Sequence, residues 1–302
     1  MPHDHHHHHH IDASTGDRRV VWAIAVNMLL TVAQIVGGVL SGSLALIADA
    51  IHNFSDAVSL IIAFFARRIA RRPMDDRMTF GYGRAEIVAA MINYTTLFVV
   101  AFYLIAEAVM RLLDPPPVQG WTVVILAGVA LIIDAVTAAL TYAMSKDSLN
   151  IRAAFVHNLA DALGSVAVIV AGTLILLFDW RWVDPVITLM IAGYILWHAW
   201  SDVGPVVRIL MLGSPPDLCR TRIGDAVRDI DGVVDIHHAH LWQMDERKNA
   251  YQAHVVIQEG AEGGAITAEI KTRLATDFDL THVTLEIETA QTGCADRAAC
   301  AP

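Results

Sequence analysis

The 302-residue chain is 55% hydrophobic, and its mean hydropathy of +0.48 excludes an ordinary soluble protein. Its net charge of −10 is unevenly distributed: residues 1–212 hold 13 Lys and Arg against 16 Asp and Glu, whereas residues 213–302 hold 8 against 15. A tail with this acidic excess excludes nucleic acid as a partner and is compatible with cations. The 3 cysteines all lie in that tail and are too few for a disulfide framework, so they indicate a reducing, cytosolic compartment.

The N-terminal segment, residues 1–17, is rich in histidine, with seven in its first ten residues. Such a tract binds divalent metal loosely without forming a folded core. Two origins stay open. The segment is either a native metal-gathering arm or a purification tag, because a run of six histidines is typical of a tag but His3 and Asp4 precede it.

Residues 18–212 read as a six-helix transmembrane domain. Each apolar stretch has about 20 residues or more, which is enough to cross the hydrocarbon core of a bilayer. The first stretch is itself long enough to span, so no cleavable signal peptide is predicted. The six predicted spans are residues 20–40, 44–66, 85–113, 121–144, 152–178 and 184–212.

Positive charge predicts the orientation of these spans. The loop at residues 67–84 carries six arginines, and it falls on the same side as Arg18, Arg19 and the tail. Because such residues concentrate on the cytosolic face, both termini are predicted to be cytoplasmic, in the inner (plasma) membrane of a bacterium. A five- or seven-span topology would leave this asymmetry unexplained.

Residues 213–302 change to the pattern of a soluble domain. A helix ends at Gly232, two alternating strands at 233–244 and 249–257 flank a polar turn, and a helix and a strand at 282–288 follow. The order αββαβ predicts one sheet with two helices on a single face, an α+β layer.

Two of the predicted spans carry a histidine and an aspartate four residues apart: His52 with Asp56, and His157 with Asp161. Residues with this spacing lie on one face of a helix. Ionisable side chains inside a membrane are costly, and they usually mark a functional site. Two such helices face to face would offer two nitrogens and two oxygens, a tetrahedral set for a zinc-like ion. Asp49 lies one turn before His52. It is an alternative candidate, either as a residue that lines the approach to the site or as a ligand in place of Asp56.

Other polar residues inside the spans are predicted to form hydrogen bonds between helices or to contact water. Asp134 is the exception, because it lies near the middle of the fourth span. A role for it in the path of the ion or the proton stays open.

The chain resembles the cation diffusion facilitator family, close to its zinc-type bacterial members, over about residues 15–290. The resemblance rests on SGSLALIADAIHNFSDA, FGYGRAEIVAAMIN, HNLADALGSVAVIV, GVVDIHHAHLW and HVTLEIE. It implies a six-helix homodimer with a ferredoxin-like cytoplasmic domain, which exchanges a cytosolic divalent cation for protons. The transport-site positions that it implies are His52, Asp56, His157 and Asp161. A histidine at the first of these favours zinc, and Gln34 departs from the family, where glutamate is common.

The tail carries a second candidate site. His237, His254 and Glu288 stand at positions that resemble the family's cytoplasmic zinc site, with Cys294 or Cys300 as further candidate ligands. Independently of the resemblance, pairing of the two strands in a hairpin brings one of two histidines close to His254. This is either His237 or, on the other face of the sheet, His238. The alternative is that these are ordinary polar strand residues, a description that best fits His240 and His282.

The residues therefore favour a proton-coupled efflux transporter for zinc, with cobalt, cadmium and nickel as further substrates of the same donor set. A membrane-bound metal sensor that transports nothing is the alternative. An enzyme is not expected, because catalytic zinc keeps an open coordination position, whereas four ligands leave none.

Overall fold

The computed structural model describes residues 28–144 and 149–289. The side chains of residues 56, 60, 140–144 and 149–158 lie outside this description. The histidine-rich segment at 1–17, the cysteines Cys294 and Cys300, and the side chains of Asp56 and His157 are therefore outside it as well.

Six helices precede the tail in the described part of the chain: α1 (Met28–Ser41), α2 (Leu44–Ala70), α3 (Ala85–Leu113), α4 (Gly120–Met144), α5 (Leu149–Phe178) and α6 (Val183–Leu210). Within those residues, α2 to α6 are long and apolar enough to cross a membrane by length and composition, whereas α1 is apolar but shorter. The predicted spans are confirmed at these five places. Of the first predicted span, residues 20–40, only the part from Met28 onward is described.

The chain divides into two compact units. The first contains the described residues up to Ile62 together with Asn93–Trp200, and the second contains Ala63–Ile92 together with the residues from Ser201 onward. The first unit holds most of the length of the spans. The second unit holds the arginine-rich loop between α2 and α3 and the whole tail.

Helix α2 packs on two sides within the first unit. On one side Ala48 is buried with Ala108 of α3 and Ala192 of α6. On the other side Leu46 packs against Val168 of α5 and residues of α4. Small side chains allow helix backbones to approach closely, which is how helices associate inside a membrane. The residues that α2 carries are thus placed among four other helices.

The start of α2 is fixed by an aspartate from another helix. The carboxylate of Asp184, in the first turn of α6, accepts hydrogen bonds from the Ser43 hydroxyl and from the backbone N–H groups of Leu44 (2.8 Å) and Ala45 (3.4 Å). A negative charge at this end also complements the helix dipole. The first turn of α2 is therefore tied to α6.

The tail folds in the predicted order αββαβ. Its elements are α7 (Arg220–Arg228), β1 (Val233–Gln243), β2 (Asn249–Ile257), α8 (Gly263–Phe278) and β3 (His282–Glu288). In the described tail, β1 pairs antiparallel with β2, and β2 pairs parallel with β3. Residues of both helices and all three strands share one core, which places both helices on one face of the sheet, as predicted. The predicted fold class, membrane helices followed by an α+β domain, is confirmed.

A bulge in β1 shifts the alternation of its side chains. His237 pairs with His254 and His240 pairs with Gln252, so β1 has one residue more than β2 between these pairs. His238 takes up the extra length with a φ of 47°, which is uncommon for a residue with a Cβ. The bulge allows both Ile236 and Leu241, five positions apart, to point into the core.

The buried hydroxyl of Tyr251 gives a prediction for the tail's stability. Its side chain is 0% exposed, and its hydroxyl makes no hydrogen bond within the described residues. Burial raises the pKa of Tyr251 from 10.0 to about 12. The unfolded chain therefore releases this proton first, and stability should fall as pH rises from about 10 to about 12, by about 1.4 kcal/mol per pH unit. Tyr251→Phe should abolish this loss and stabilise the domain at neutral pH by about 1 kcal/mol.

Urea unfolding of residues 213–302, compared between wild type and Tyr251→Phe at pH 7.5 and pH 11, measures both effects. Tyr251 is the one tyrosine in that segment, so the difference between the two proteins isolates its ionisation. An equal alkaline loss in both proteins would contradict the prediction.

Candidate functional site

Two of the four predicted transport-site residues meet between α2 and α5. The Nε2 atom of His52 lies 3.3 Å from Oδ1 of Asp161. The two side chains are 17% and 10% exposed, so the pair is largely shielded. The structure thus brings the imidazole and the carboxylate of this pair together from two different helices, and their role as ligands of one ion stays a prediction.

A second contact shows how α2 and α5 align. One turn before His52, the Oδ1 atom of Asp49 lies 3.2 Å from the point that a Cβ on Gly164 would occupy. Gly164 comes one turn after Asp161 in α5. A step backward along α2 therefore matches a step forward along α5, so the two helices run antiparallel at the site. Gly164 allows the Asp49 carboxylate to approach α5 closely.

Two further hydrogen bonds join α1 to α2 and α4 to α5, the first buried and the second partly buried. Nε2 of Gln34 in α1 donates to Oδ2 of Asp49 at 2.9 Å, and the two residues are 0% and 3% exposed. The Ser165 hydroxyl of α5 donates to Oδ2 of Asp134 in α4 at 3.1 Å. Gln34 stands where the family commonly has glutamate, and its amide donates to the Asp49 carboxylate without the extra proton that a glutamate would need for the same hydrogen bond. The role of Asp49 as a metal ligand in place of Asp56 stays a prediction.

Tyr194 of α6 was not among the predicted site residues. Its ring lies 6.3 Å from that of His52 in an edge-on arrangement and 6.2 Å from that of His198. Tyr194 and His198 have the same four-residue spacing as the His and Asp pairs. The four-residue spacing of these two polar side chains in the sixth span is the sequence signal that could have indicated Tyr194.

The other two predicted residues, Asp56 and His157, occupy helical positions in α2 and α5. Their side chains lie outside the described part of the structure, so their place in the site stays a prediction.

The tail brings its three predicted ligands together. His237, His254 and Glu288 each offer a ligand atom, and these atoms lie within 4.8 Å of one another. Nδ1 of His254 is 2.7 Å from Oε1 of Glu288, and Nε2 of His237 is 3.4 Å from Oε2. Among the described residues this is the one group of three or more such side chains that lie close enough to hold a metal ion.

The surroundings of this group suit a metal ion. Its residues lie on the sheet face opposite the helices, and Glu288 is only 3% exposed. Nε2 of His237 is buried and makes no hydrogen bond in the described structure, although the Glu288 carboxylate lies 3.4 Å away. Two imidazoles and one carboxylate fit zinc, with one position left for a fourth ligand.

Further acidic and imidazole groups adjoin the cluster. Oε2 of Glu286, two residues before Glu288 on the same face of β3, is 3.3 Å from Nε2 of His254. The bulge also brings the ring of His238 to 4.9 Å from that of His254. His240 contacts His238, and His282 contacts Phe80 edge-on at 5.7 Å. Glu286 was missed, although its period-two spacing from Glu288 could have indicated it.

Comparison with known proteins assigns both parts of the chain to one family. Residues 20–211 match the family described as "Cation efflux transmembrane domain". Residues 215–290 match that described as "Cation efflux protein, cytoplasmic domain". The two matches cover the spans and the αββαβ domain in the order in which they occur here.

Several curated proteins are similar over nearly the whole chain. The metal cation efflux system protein CzcD of Cupriavidus metallidurans is 35% identical over 98% of this chain and 92% of its own length. The cadmium, cobalt and zinc/H(+)-K(+) antiporter of Bacillus velezensis is 33% identical over 96% and 93%. The zinc transporter ZitB of Escherichia coli is 32% identical over 95% and 93%.

Among solved structures, the metal-bound C-terminal domain of CzcD is 29% identical over 24% of this chain and 99% of its own, with a TM-score of 0.22. Together with the family matches, the full-length similarity to CzcD and ZitB shows that the chain belongs to the cation diffusion facilitator family of cation efflux transporters.

Proposed function

We propose that the chain exports zinc from the cytosol in exchange for protons by alternating access at a site between α2 and α5. The observation that carries the proposal is the meeting of His52 with Asp161 across these two helices. The names of the relatives, which include zinc, cobalt and cadmium, support the same class of substrate.

The antiparallel alignment supports a site of four ligands. Asp49 adjoins Gly164, and His52 adjoins Asp161. One further turn in the same direction matches position 56 of α2 with position 157 of α5. We therefore assign Asp56 and His157 as the remaining ligands, which gives two nitrogens and two oxygens. Such a mixed set favours zinc over manganese or magnesium, which prefer oxygen donors alone.

Proton exchange follows from competition for the same atoms. Zinc needs a neutral imidazole and an ionised carboxylate, so a proton on either group excludes the ion. Free imidazole titrates at about pH 6.5, within the range of cytosolic acidification. A site that alternately faces the cytosol and the other side would therefore carry zinc in one direction and protons in the other.

The packing indicates which contacts must change for alternating access. The first turn of α2 is tied to Asp184 of α6, and Ala48 is buried with Ala108 and Ala192. Opening of the site on that side therefore requires α2 and α5 to separate at contacts such as that of Leu46 with Val168. Packed interfaces of this kind switch between discrete arrangements.

The tail is proposed to bind zinc at His237, His254 and Glu288 and to hold two copies of the chain together. The family name of the cytoplasmic domain, ZT_dimer, supports a homodimer. We assign residues 18–212 to the transport domain, in the inner membrane, and residues 213–302 to the cytoplasmic domain. Both termini are proposed to lie on the cytosolic side of the membrane, the side also assigned to the arginine-rich loop.

Zinc flux in proteoliposomes under an imposed pH gradient tests the function. Flux should increase with the outward zinc gradient, should be driven by an opposing proton gradient, and should be accompanied by a pH change reported by a dye trapped in the vesicles. Zinc that binds tightly but does not move would instead favour a membrane-bound sensor.

Proton release on zinc binding is the second measurable consequence. Calorimetry of the detergent-solubilised chain in buffers of different ionisation enthalpy should report release of about one proton or more per zinc at pH 6.5. Release should decrease at pH 8, where free imidazole is already neutral. A release of zero at pH 6.5 would contradict competition at the site and favour a uniporter.

A further inference from the structure

We propose that a cleft between the α2–α3 loop and the tail domain binds an anionic phospholipid of the cytoplasmic leaflet. All the residues that line it belong to the second unit of the chain. Its volume is about 430 Å3, within the range of about 300–1,000 Å3 that is usual for small-molecule sites. The lining residues that matter for the ligand are Met78, Phe80, Leu212, Trp242, Arg77 and Arg84.

The loop side of the cleft is held in shape by its own hydrogen bonds. The Asp75 carboxylate accepts from the backbone N–H groups of Arg77 (2.9 Å) and Met78 (2.8 Å) and from the Tyr82 hydroxyl (2.7 Å). These bonds, that of Tyr82 above all, lower the pKa of Asp75 and keep it ionised at neutral pH. A preformed wall lowers the entropic cost of binding a ligand.

The loop is also attached to the tail domain. Nε of Arg84 donates to the backbone carbonyl of Met244 at 2.9 Å. Phe80 contacts His282 at the start of β3. Gly83 lies where any Cβ would come within 2.5 Å of the Asp245 carboxylate. The cleft is therefore bounded by the α2–α3 loop, by Leu212 after α6, and by the end of β1 with the turn that follows it.

The walls of the cleft suit an acyl chain. Phe80 is 68% exposed and Leu212 is 52% exposed, and both line the cleft. Met74 and Met211, at 73% and 76%, expose further apolar surface beside the ends of α2 and α6. Apolar area of this kind is unfavourable in water and is covered by hydrocarbon at a membrane surface.

The charge of the loop suits an anionic head group. Residues 67–84 contain six arginines and two aspartates, a net of +4. Arg77 and Arg84 line the cleft itself, and Asp245 is the one acidic residue of the lining, so the lining keeps a net positive charge. Arginine donates to phosphate oxygens through a planar fork, and basic clusters just cytosolic of a span attract anionic lipids. Free phosphate offers the same head-group chemistry, but the apolar walls favour a molecule with hydrocarbon chains.

Native mass spectrometry of the full chain, delipidated and given equal amounts of phosphatidylglycerol and phosphatidylcholine with identical acyl chains, tests the site. Wild type should retain the anionic lipid in clear excess. Arg77→Gln should reduce that excess by about fivefold, and adding Arg84→Gln should reduce it by about fivefold again. The matched control is Arg273→Gln on α8, which removes one partly exposed arginine that does not line the cleft and should leave the ratio unchanged.

Two further experiments test the apolar wall of the cleft and the source of the phosphate group. Met78→Ser should lower retention of both lipids while keeping their ratio. Inorganic phosphate or glycerophosphoglycerol, at the same concentration, should fail to displace the lipid. Equal retention of the two lipids by wild type, or an excess that survives the double arginine change, would overturn the proposal. Displacement by free phosphate would overturn the assignment to a lipid.

Discussion

Zinc flux through the reconstituted protein is expected to fall by about two orders of magnitude or more in Asp161→Asn. The change keeps the size of the side chain but replaces a charged ligand oxygen, 3.3 Å from Nε2 of His52, with an amide. Loss of a partner outside the ligand shell of a metal already costs about 10–100-fold in affinity, and loss of a ligand costs more. His52→Ala should have the same effect from the other helix. Initial rates of zinc uptake into vesicles, at matched protein content, measure both.

The matched control is Asp202→Asn in α6, which removes a carboxylate from a span outside the proposed site. It should keep most of the flux. Asp49→Asn should have a milder effect than Asp161→Asn, because the Asp49 carboxylate already accepts a hydrogen bond from Gln34. Full zinc flux in either Asp161→Asn or His52→Ala, with protein present in the vesicles, would remove the pair from the transport site.

The sequence predicted the helices of the site but not their alignment. A four-residue spacing places His52 and Asp56 on one face of α2, because the helix period is local. Which residue of α5 lies opposite His52 depends on how far the two helices slide past each other. That offset is set by close contacts such as Asp49 with Gly164, which no single-helix pattern contains.

The neighbours of α2 also could not be predicted from its own sequence. Its length and apolar composition predict a membrane span, but they do not indicate which helices pack on Ala48 and Leu46. Inside a membrane, lipid and protein are about equally apolar, so small side chains rather than hydrophobicity select neighbours. Asp184 of α6 caps α2 from 140 residues further along the chain, so the sequence of α2 alone does not predict this contact either.

In the tail, the alternation of side chains predicted the strands closely. The observed β2 and β3 have the predicted bounds, and β1 ends one residue earlier, at Gln243. The bulge at His238 was beyond prediction, because a left-handed residue without glycine or asparagine has no clear sequence signal. Its consequence is that the rings of both His237 and His238 lie near His254.

Zinc is expected to stabilise the isolated tail, residues 213–302, by about 2.7 kcal/mol at a free concentration one hundred times its dissociation constant. For a domain of this size, that corresponds to a rise of about 10–20 °C in Tm. The ligands need little rearrangement, because the three donor atoms already lie within 4.8 Å of one another. The buried carboxylate of Glu288 also gains a positive partner, which offsets the cost of its burial.

Replacing His237, His254 and Glu288 together with alanine should remove this gain, and Glu288→Gln, which keeps the side-chain volume, should reduce it strongly. The matched control is His240→Ala with His282→Ala, which removes two exposed imidazoles outside the cluster and should retain the full shift in Tm. Thermal unfolding at pH 7.5, with zinc and with a chelator, measures all four proteins. A zinc shift that survives the triple change would contradict the assigned ligands, and it would direct attention to Cys294, Cys300 or the other histidines, because soft thiolates and free imidazoles bind the same ion.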